Sequence, residues 1–191
     1  ADVDVLALFA ASMGQNDAVV RAVASTVDRR VDAEALQAVV ALLAVPFLQA
    51  CNRGLAPLIR ESWVEGYCPL CGSWPAFAEV RGIERIRCFR CGRCGGEWHA
   101  RALHCPYCAQ DDHASLVSLV PQNGSSDVID GCRRCLGYVK TLTRLQGCQP
   151  AAVMLEDLAT VDLDVAALDQ GYVRPAGLGY PLTLSMMNDK C

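Results

Sequence analysis

The sequence predicts an α+β protein with an N-terminal helical segment, two tandem four-cysteine β modules and a short C-terminal helical segment. Three observations support this fold class. Of the 191 residues 52% are apolar and 20% are charged, which is typical of a globular chain and excludes a disordered one. Apolar residues recur at intervals of three or four residues in residues 1–65 and again after Pro150, and this spacing indicates helices. Between these regions the helical period is absent and CxxC pairs recur.

Residues 1–65 are predicted to form several helices. The side chain of Asn16 or Asp17 can cap a second helix, and Asp32 can begin a third, because side-chain oxygens at these positions accept hydrogen bonds from free backbone amides. Pro46 should kink or end the third helix, since proline has no amide hydrogen to donate.

The N-terminus carries Asp2 and Asp4 where a secretory signal peptide would carry lysine or arginine. The longest apolar run, residues 38–48, has 11 residues and includes Pro46, whereas a membrane-spanning helix needs about 20. We therefore expect a cytoplasmic protein without membrane insertion. In a reducing cytosol, CxxC pairs are more often metal ligands or redox groups than disulfides.

The central region is predicted to alternate short β-strands with CxxC turns. Modules of this size usually need a metal, a disulfide or a partner to hold their fold. The expected modules are residues 66–104 and 105–148, followed by a helical segment and tail in residues 149–191. The expected strands lie at residues 77–80, 84–89, 97–103, 116–120 and 138–142.

Eight of the twelve cysteines form a repeat. The first CxxC pairs of the two modules are 37 residues apart, from Cys68 to Cys105, and the second pairs are 41 apart, from Cys91 to Cys132. Two CxxC turns joined by a hairpin complete a tetrahedral four-thiolate site. The predicted metal ligands are Cys68, Cys71, Cys91, Cys94, Cys105, Cys108, Cys132 and Cys135.

We expect consecutive CxxC pairs to share an ion, because this makes each repeat self-contained, whereas a cross-brace would link the first pair to the third. Gly72 and Gly95 stand where such a turn requires a positive φ. A tetrahedral all-thiolate site suits zinc and iron equally, so two ions per chain, iron or zinc, are predicted.

The cysteines also allow other interpretations. Cys88 precedes Cys91 and Cys94 in a CxxCxxC run like that of an iron–sulfur protein, but ten residues rather than three separate it from the next cysteine. The pair Cys105 and Cys108 has the spacing of a redox dithiol, yet the polar residues after it do not continue as a helix. The sequence contains no recognisable catalytic triad, phosphate-binding glycine loop or carboxylate pair, so no enzymatic activity is predicted.

The net charge is −4, which gives no general reason to expect binding to nucleic acid. Six arginines nevertheless lie between Arg81 and Arg101. We expect them to neutralise nearby thiolate centres, although a phosphate-binding patch remains the alternative. His99 is expected either at the surface or in contact with the metal-binding cysteines rather than with the metal itself. His104 directly precedes Cys105 and is expected beside the second site.

Four CxxC pairs therefore occur in a fixed order, with a Glu-Trp-His run after the second pair. The motifs are Cys68-Pro-Leu-Cys71-Gly-Ser, Cys91/Cys94 with Glu97-Trp98-His99, Cys105/Cys108, Cys132/Cys135 with Leu-Gly-Tyr138-Val-Lys140, and Glu156-Asp-Leu-Ala-Thr with Gly171-Tyr172. In this order they resemble the formate dehydrogenase accessory protein family, FdhE, over about residues 60–180.

The resemblance implies a cytoplasmic accessory or maturation factor, not an enzyme, that is required for active formate dehydrogenase and binds its catalytic subunit through a metal-stabilised platform. It implies rubredoxin-like sites, one per cysteine quartet, that can hold iron. It also implies a helical domain longer than residues 1–65, so we expect this segment to be incomplete. Cys88 matches no ligand position of the family. The alternative functions are a rubredoxin-like redox or iron-sensing protein and a nucleic-acid-binding zinc ribbon.

Overall fold

A computed structural model describes residues 4–24, 32–121 and 124–180. Within these residues the N-terminal part is helical and the C-terminal part contains two further short helices. The expected tail lies outside the described residues from position 181 onward. The helices are α1 (Val5–Gly14), α2 (Asp17–Ala24), α3 (Ala33–Leu43), α4 (Val45–Leu55), α5 (Val153–Ala159) and α6 (Val161–Asp169).

The helix starts follow the predicted caps. The Asn16 side chain accepts a hydrogen bond from the Val19 amide at 3.3 Å, and the Asp32 side chain accepts one from the Glu34 amide at 2.9 Å. Each bond satisfies a backbone donor that the first helical turn leaves free. Pro46 lies in the first turn of α4, and α3 ends before it, as predicted.

The apolar run of residues 38–48 lies within a longer helical stretch that is apolar on average. By length and composition alone, Glu34–Leu58 could cross a membrane, with 25 residues, a mean hydropathy of 1.7 and 17% of its most apolar window buried. A signal sequence or the core helix of a soluble protein also meets this criterion. The stretch spans α3, α4 and the turn between them. The absence of membrane insertion stays a prediction.

The β-strands of the described residues form one six-stranded sheet, in the order β3-β2-β1-β6-β5-β4. Neighbouring strands are antiparallel except β1 and β6, which are parallel and join the two modules. The sheet is therefore shared, although each module still contributes three consecutive strands. The strands are β1 (Phe77–Arg81), β2 (Ile86–Arg90), β3 (Glu97–His99), β4 (Leu116–Leu119), β5 (Val128–Cys132) and β6 (Tyr138–Arg144).

Five strands overlap the predicted ones, and β5 was missed. Its sequence, Val-Ile-Asp-Gly-Cys, contains aspartate and glycine, which are depleted in strands. The predicted third strand was too long, because the chain leaves the sheet after His99 and Leu103 adopts a left-handed φ of 47°. The predicted domain boundaries stay predictions.

The two faces of the sheet are covered by different helices. One face packs against the N-terminal helices through Met13, Leu48 and Phe89, and this core includes the first four cysteines. The other face packs against α5 and α6 around Phe77 and Ile129. The first two cysteine turns thus lie where the N-terminal helices meet the sheet. The α+β class agrees with the sequence prediction.

Candidate metal centres

Each of the four CxxC pairs lies in the same tight turn. In the first turn the Cys68 amide donates to the Ser73 carbonyl and the Gly72 amide donates back to the Cys68 carbonyl, both at 2.9 Å. The same two bonds recur at Cys91, Cys105 and Cys132, with lengths of 2.8–3.1 Å. This double hydrogen bond holds the two sulfurs of a pair on one side of the turn.

The residue after each pair adopts a left-handed conformation. Gly72 and Gly95 have φ values of 69° and 73°, as predicted. Ala109 and Leu136 occupy the same position in the second module, each with a φ of 57°. Non-glycine residues adopt this conformation at a steric cost, so the fold of the turn, rather than residue preference, determines it there.

The first cluster brings four cysteine sulfurs together in the core. The Cys68 and Cys94 sulfurs are 3.5 Å apart, and the Cys71 and Cys91 sulfurs are 3.4 Å apart. All four residues are buried, with at most 2% of their surface exposed. No open position faces the solvent, which is typical of a structural metal site.

The second cluster has the same grouping and is more exposed. The Cys105 and Cys135 sulfurs are 3.6 Å apart, and the Cys108 and Cys132 sulfurs are 3.7 Å apart. Cys105 and Cys132 are buried, whereas Cys135 is exposed. Within the described part of the chain these are the two groups that could hold a metal ion, and consecutive pairing is observed in both.

The sulfur spacing fits a tetrahedral ion. A metal–sulfur distance of about 2.3 Å places neighbouring ligands about 3.8 Å apart, close to the contacts in both clusters and far beyond a disulfide bond. Backbone amides also point at the sulfurs: the Gly96 amide donates to Cys94 Sγ and the Gly137 amide to Cys135 Sγ, both at 3.4 Å. The arrangement can therefore hold divalent or trivalent metal, with iron or zinc as candidates.

Electrostatics also favour a cation at the first cluster. Hydrogen bonds from the Cys68, Cys91 and Cys94 thiols hold the pKa of Cys71 far below its usual value. Hydrogen bonds with Cys68 and Cys71 raise the pKa of Cys91 well above it. Without a cation, only some of the four thiols can be ionised at once, because neighbouring thiolates repel one another. A bound metal cation would balance this negative charge and allow all four to be thiolates.

The two centres contact each other. A Cβ built on Gly66, just before the first pair, would lie 1.8 Å from the Pro106 carbonyl oxygen in the second CxxC turn. The ring centroids of Trp74 and Tyr107 are 5.2 Å apart in an edge-to-face arrangement. The clusters therefore belong to one packed unit.

The N-terminal helices dock onto the first centre. Arg93, between Cys91 and Cys94, donates to the Met13 and Ser12 carbonyls at the end of α1, at 3.2 and 2.5 Å. Sequence reasoning missed this role because the contact spans eighty residues of chain. Formation of the turn and docking of the helix are thus linked.

Most other arginines of the 81–101 stretch bind carboxylates rather than thiolates. Arg90 is 2% exposed and lies 2.6 Å from Glu97. Arg81 also binds Glu97, at 2.8 Å, and Arg87 binds Asp130 at 2.9 Å. Of the arginines in this stretch, Arg85 and Arg101 are exposed and have no ion pair among the described residues. The expectation that the arginines neutralise the thiolate centres does not match these contacts.

Cys88 lies outside both clusters. It is half-buried on β2, opposite His99 on β3, and desolvation raises the pKa of its thiol. We expect Cys88→Ser to leave the metal content of the purified chain unchanged, because no described cluster includes this sulfur. Elemental analysis against the unmodified chain checks this, and loss of one ion would mean that the ligand set is wrong.

The fold and the two clusters define a protein with paired four-cysteine ribbons fused in one sheet. No family model matches the chain. It is 31% identical over 119 residues to an FdhE homologue of Aquifex aeolicus, covering 60% of this chain and 41% of that protein. It is 32% identical over 123 residues to an FdhE homologue of Stutzerimonas stutzeri, covering 62% and 39%.

A crystal structure of the FdhE protein from Pseudomonas aeruginosa has the same fold. Its TM-score is 0.54 with 22% identity, and the alignment covers 91% of this chain and 78% of that one. The resemblance to the FdhE family is therefore confirmed. The chain spans about two fifths of the length of the curated relatives described above.

Proposed function

We propose that the chain is an accessory factor for the maturation of formate dehydrogenase in the cytoplasm and is not itself an enzyme. The FdhE relatives support this class. The catalytic subunit of formate dehydrogenase is the proposed client, and the eight clustered cysteines are the proposed ligands of two metal ions.

The closed first cluster is the observation that carries the proposal. A catalytic metal keeps a coordination position open for substrate or water, whereas a structural metal is enclosed by protein ligands. The four sulfurs of this cluster are buried in the core, between the sheet and the N-terminal helices. A metal there would fix the helices and the sheet as one platform on which a client could bind.

The test is capture of the formate dehydrogenase catalytic subunit by immobilised, metal-loaded chain. We expect capture by the intact chain and loss of capture when Cys91→Ala and Cys94→Ala are combined, because the first centre would then lose two of its ligands. Cys88→Ala is the matched control and should retain capture. Failure of the intact chain to capture the subunit would contradict the proposal.

A rubredoxin-like redox or iron-sensing function is the second candidate. The exposed Cys135 favours it, because electron transfer to a partner needs a ligand near the surface. Anaerobic purification followed by elemental analysis and a visible spectrum tests it. Iron–thiolate bands that bleach reversibly with dithionite would support this function, and a colourless protein with two zinc ions would exclude it.

The ion pairs that the arginines form with carboxylates argue against nucleic-acid binding. Arg81, Arg87 and Arg90 are occupied by carboxylates, so they do not form a free phosphate-binding surface. We expect flat titrations with DNA and RNA even at low salt, where binding to phosphates would be strongest.

A further inference from the structure

A cavity beside the second cluster lies on the sheet face between the modules, and Cys105 and Cys132 of that cluster are part of its lining. Its volume is about 380 Å³, and its floor is largely apolar, with Val80, Val128 and Val139 from three strands. Its wall includes the turn of the second cluster at Cys105 and Pro106. A largely apolar cavity with a few polar groups at its edge is typical of a binding site.

Two arginines and one aspartate line the cavity. Arg87 and Asp130 neutralise each other at 2.9 Å, and Thr141 donates to the same carboxylate at 2.6 Å. Arg85 also lines the cavity, is exposed, and has no ion pair in the described residues. Asp130 already binds Arg87, so Arg85 is the arginine of the lining that a carboxylate of a bound peptide can reach without displacing an ion pair of the described residues.

Strand β4 forms one side of the cavity and one edge of the sheet. Leu116, Val117 and Ser118 line the cavity, and β4 pairs only with β5 among the described strands. An exposed edge strand presents unpaired backbone groups to which an extended peptide can add.

The register shows which backbone groups of β4 are available. The Arg133 amide donates to the Ser115 carbonyl at 2.8 Å, so Ser115 belongs to a hydrogen-bonded pair. Alternation along an antiparallel ladder then turns the backbone of Val117 toward β5 and that of Ser118 outward. The Ser118 side chain faces the cavity, where its hydroxyl donates to Asp130 at 2.9 Å. One residue thus offers backbone pairing directly beside the cavity.

We propose that β4 and this cavity bind an extended peptide segment of the client. The peptide would pair with the outward backbone of Ser118, insert an apolar side chain over Val80 and Val139, and place an acidic group beside Arg85. The inference rests on the proposed function for the identity of the client. The site itself is defined by the cavity, by the edge of β4 that no described strand covers, and by Arg85, which has no ion pair in the described part of the chain.

The test uses fluorescence anisotropy with labelled, overlapping 12-residue peptides from the catalytic subunit and the full metal-loaded chain. Ser118→Pro removes the outward amide without breaking a bond to β5, since proline is tolerated on an edge strand when its missing amide faces solvent. We expect it to weaken binding about tenfold, as loss of a backbone hydrogen bond implies. Ser118→Ala is the matched control, because it loses the hydroxyl but keeps the amide, and should bind within about twofold of the intact chain.

A second pair of variants tests the charge. Arg85→Glu should weaken peptides that carry aspartate or glutamate about tenfold and leave their neutral counterparts nearly unchanged. Arg60→Glu makes the same charge change at an exposed arginine that does not line the cavity and should have little effect. Circular dichroism of each variant shows that the fold is retained.

The outcomes separate this inference from the proposed function. If the catalytic subunit is captured but no peptide binds, or Ser118→Pro binds as well as Ser118→Ala, the inference is wrong and the proposed function stands. If acidic, apolar peptides bind with the expected pattern but the whole subunit is not captured, the peptide site stands and the proposed function is wrong.

Discussion

Replacing Cys71 by serine is expected to remove one of two metal ions and to lower the free energy of unfolding by several kcal/mol. Cys71 is fully buried, and its sulfur lies 3.4 Å from that of Cys91. Binding of a structural metal to a thiolate quartet contributes about 10 kcal/mol or more to folding, while a whole domain is stable by about 5–15 kcal/mol. Loss of this site should therefore loosen the core between the sheet and the N-terminal helices.

Elemental analysis and thermal unfolding followed by circular dichroism measure the two effects. Cys88→Ser is the matched control, because it exchanges the same atoms on a neighbouring strand outside the clusters. Cys135→Ser should have a smaller effect on stability than Cys71→Ser, because Cys135 is exposed. An unchanged midpoint and two retained ions in Cys71→Ser would show that the first cluster is not a structural metal site.

The cysteine turns were predictable because their chemistry is local. A CxxC turn is defined by six consecutive residues, and the repeat of 37 and 41 residues indicated which turns belong to each module. The caps at Asn16 and Asp32 were predictable for the same reason, since a capping side chain reaches only two or three residues ahead.

The joining of the two modules was not predictable, because it depends on contacts distant in the chain. Phe77 pairs with Lys140 in the parallel ladder of β1 and β6, and no local pattern specifies this register. Nor does the sequence around Ala109 and Leu136 show the left-handed conformation, since neither residue prefers it. The cavity beside β4 could not be predicted from local sequence patterns either, because strands of both modules line it.

Buried charge on β6 is another feature that local reasoning misses. Strand alternation places Lys140 on the same face as Tyr138 and Leu142, toward α5 and α6, although lysine is almost always exposed. The side chain is fully buried, and its ammonium group lies 2.7 Å from Asp157 and 2.9 Å from Asp164. These two acidic residues belong to the C-terminal helices, so the network attaches the helices to the sheet.

The same network predicts a loss of stability in acid. Burial raises the pKa of Asp157, but hydrogen bonds from Arg174 and Lys140 outweigh this effect and lower the pKa overall. A carboxyl group with a lowered pKa in the folded state stabilises the fold above its unfolded pKa of about 3.9 and loses this contribution as the pH falls. The charge network should therefore weaken below about pH 4.

Replacing Lys140 by methionine is expected to lower the free energy of unfolding by about 1–3 kcal/mol, because buried acceptors lose their donor while Arg174 still pairs with Asp157 and Asp164. Methionine has a similar length, so the main loss is the charge that faces Asp157 and Asp164. The Asp157 and Thr160 carbonyls also lose the hydrogen bonds they accept from the ammonium group, at 2.7 and 3.3 Å. Urea unfolding at neutral pH measures the change.

Arg144→Met on the same strand is the matched control. Arg144 is about one-third exposed and binds Asp127 at 2.9 Å and Glu156 of α5 at 3.5 Å, so its removal should cost about 1 kcal/mol or less because solvent screens both pairs. Lys140→Met should also flatten the loss of stability between pH 5 and pH 3, since Asp157 then has one cation fewer to lower its pKa. Equal effects of the two substitutions at neutral pH would show that the buried lysine is not the charge that holds α5 and α6 on the sheet.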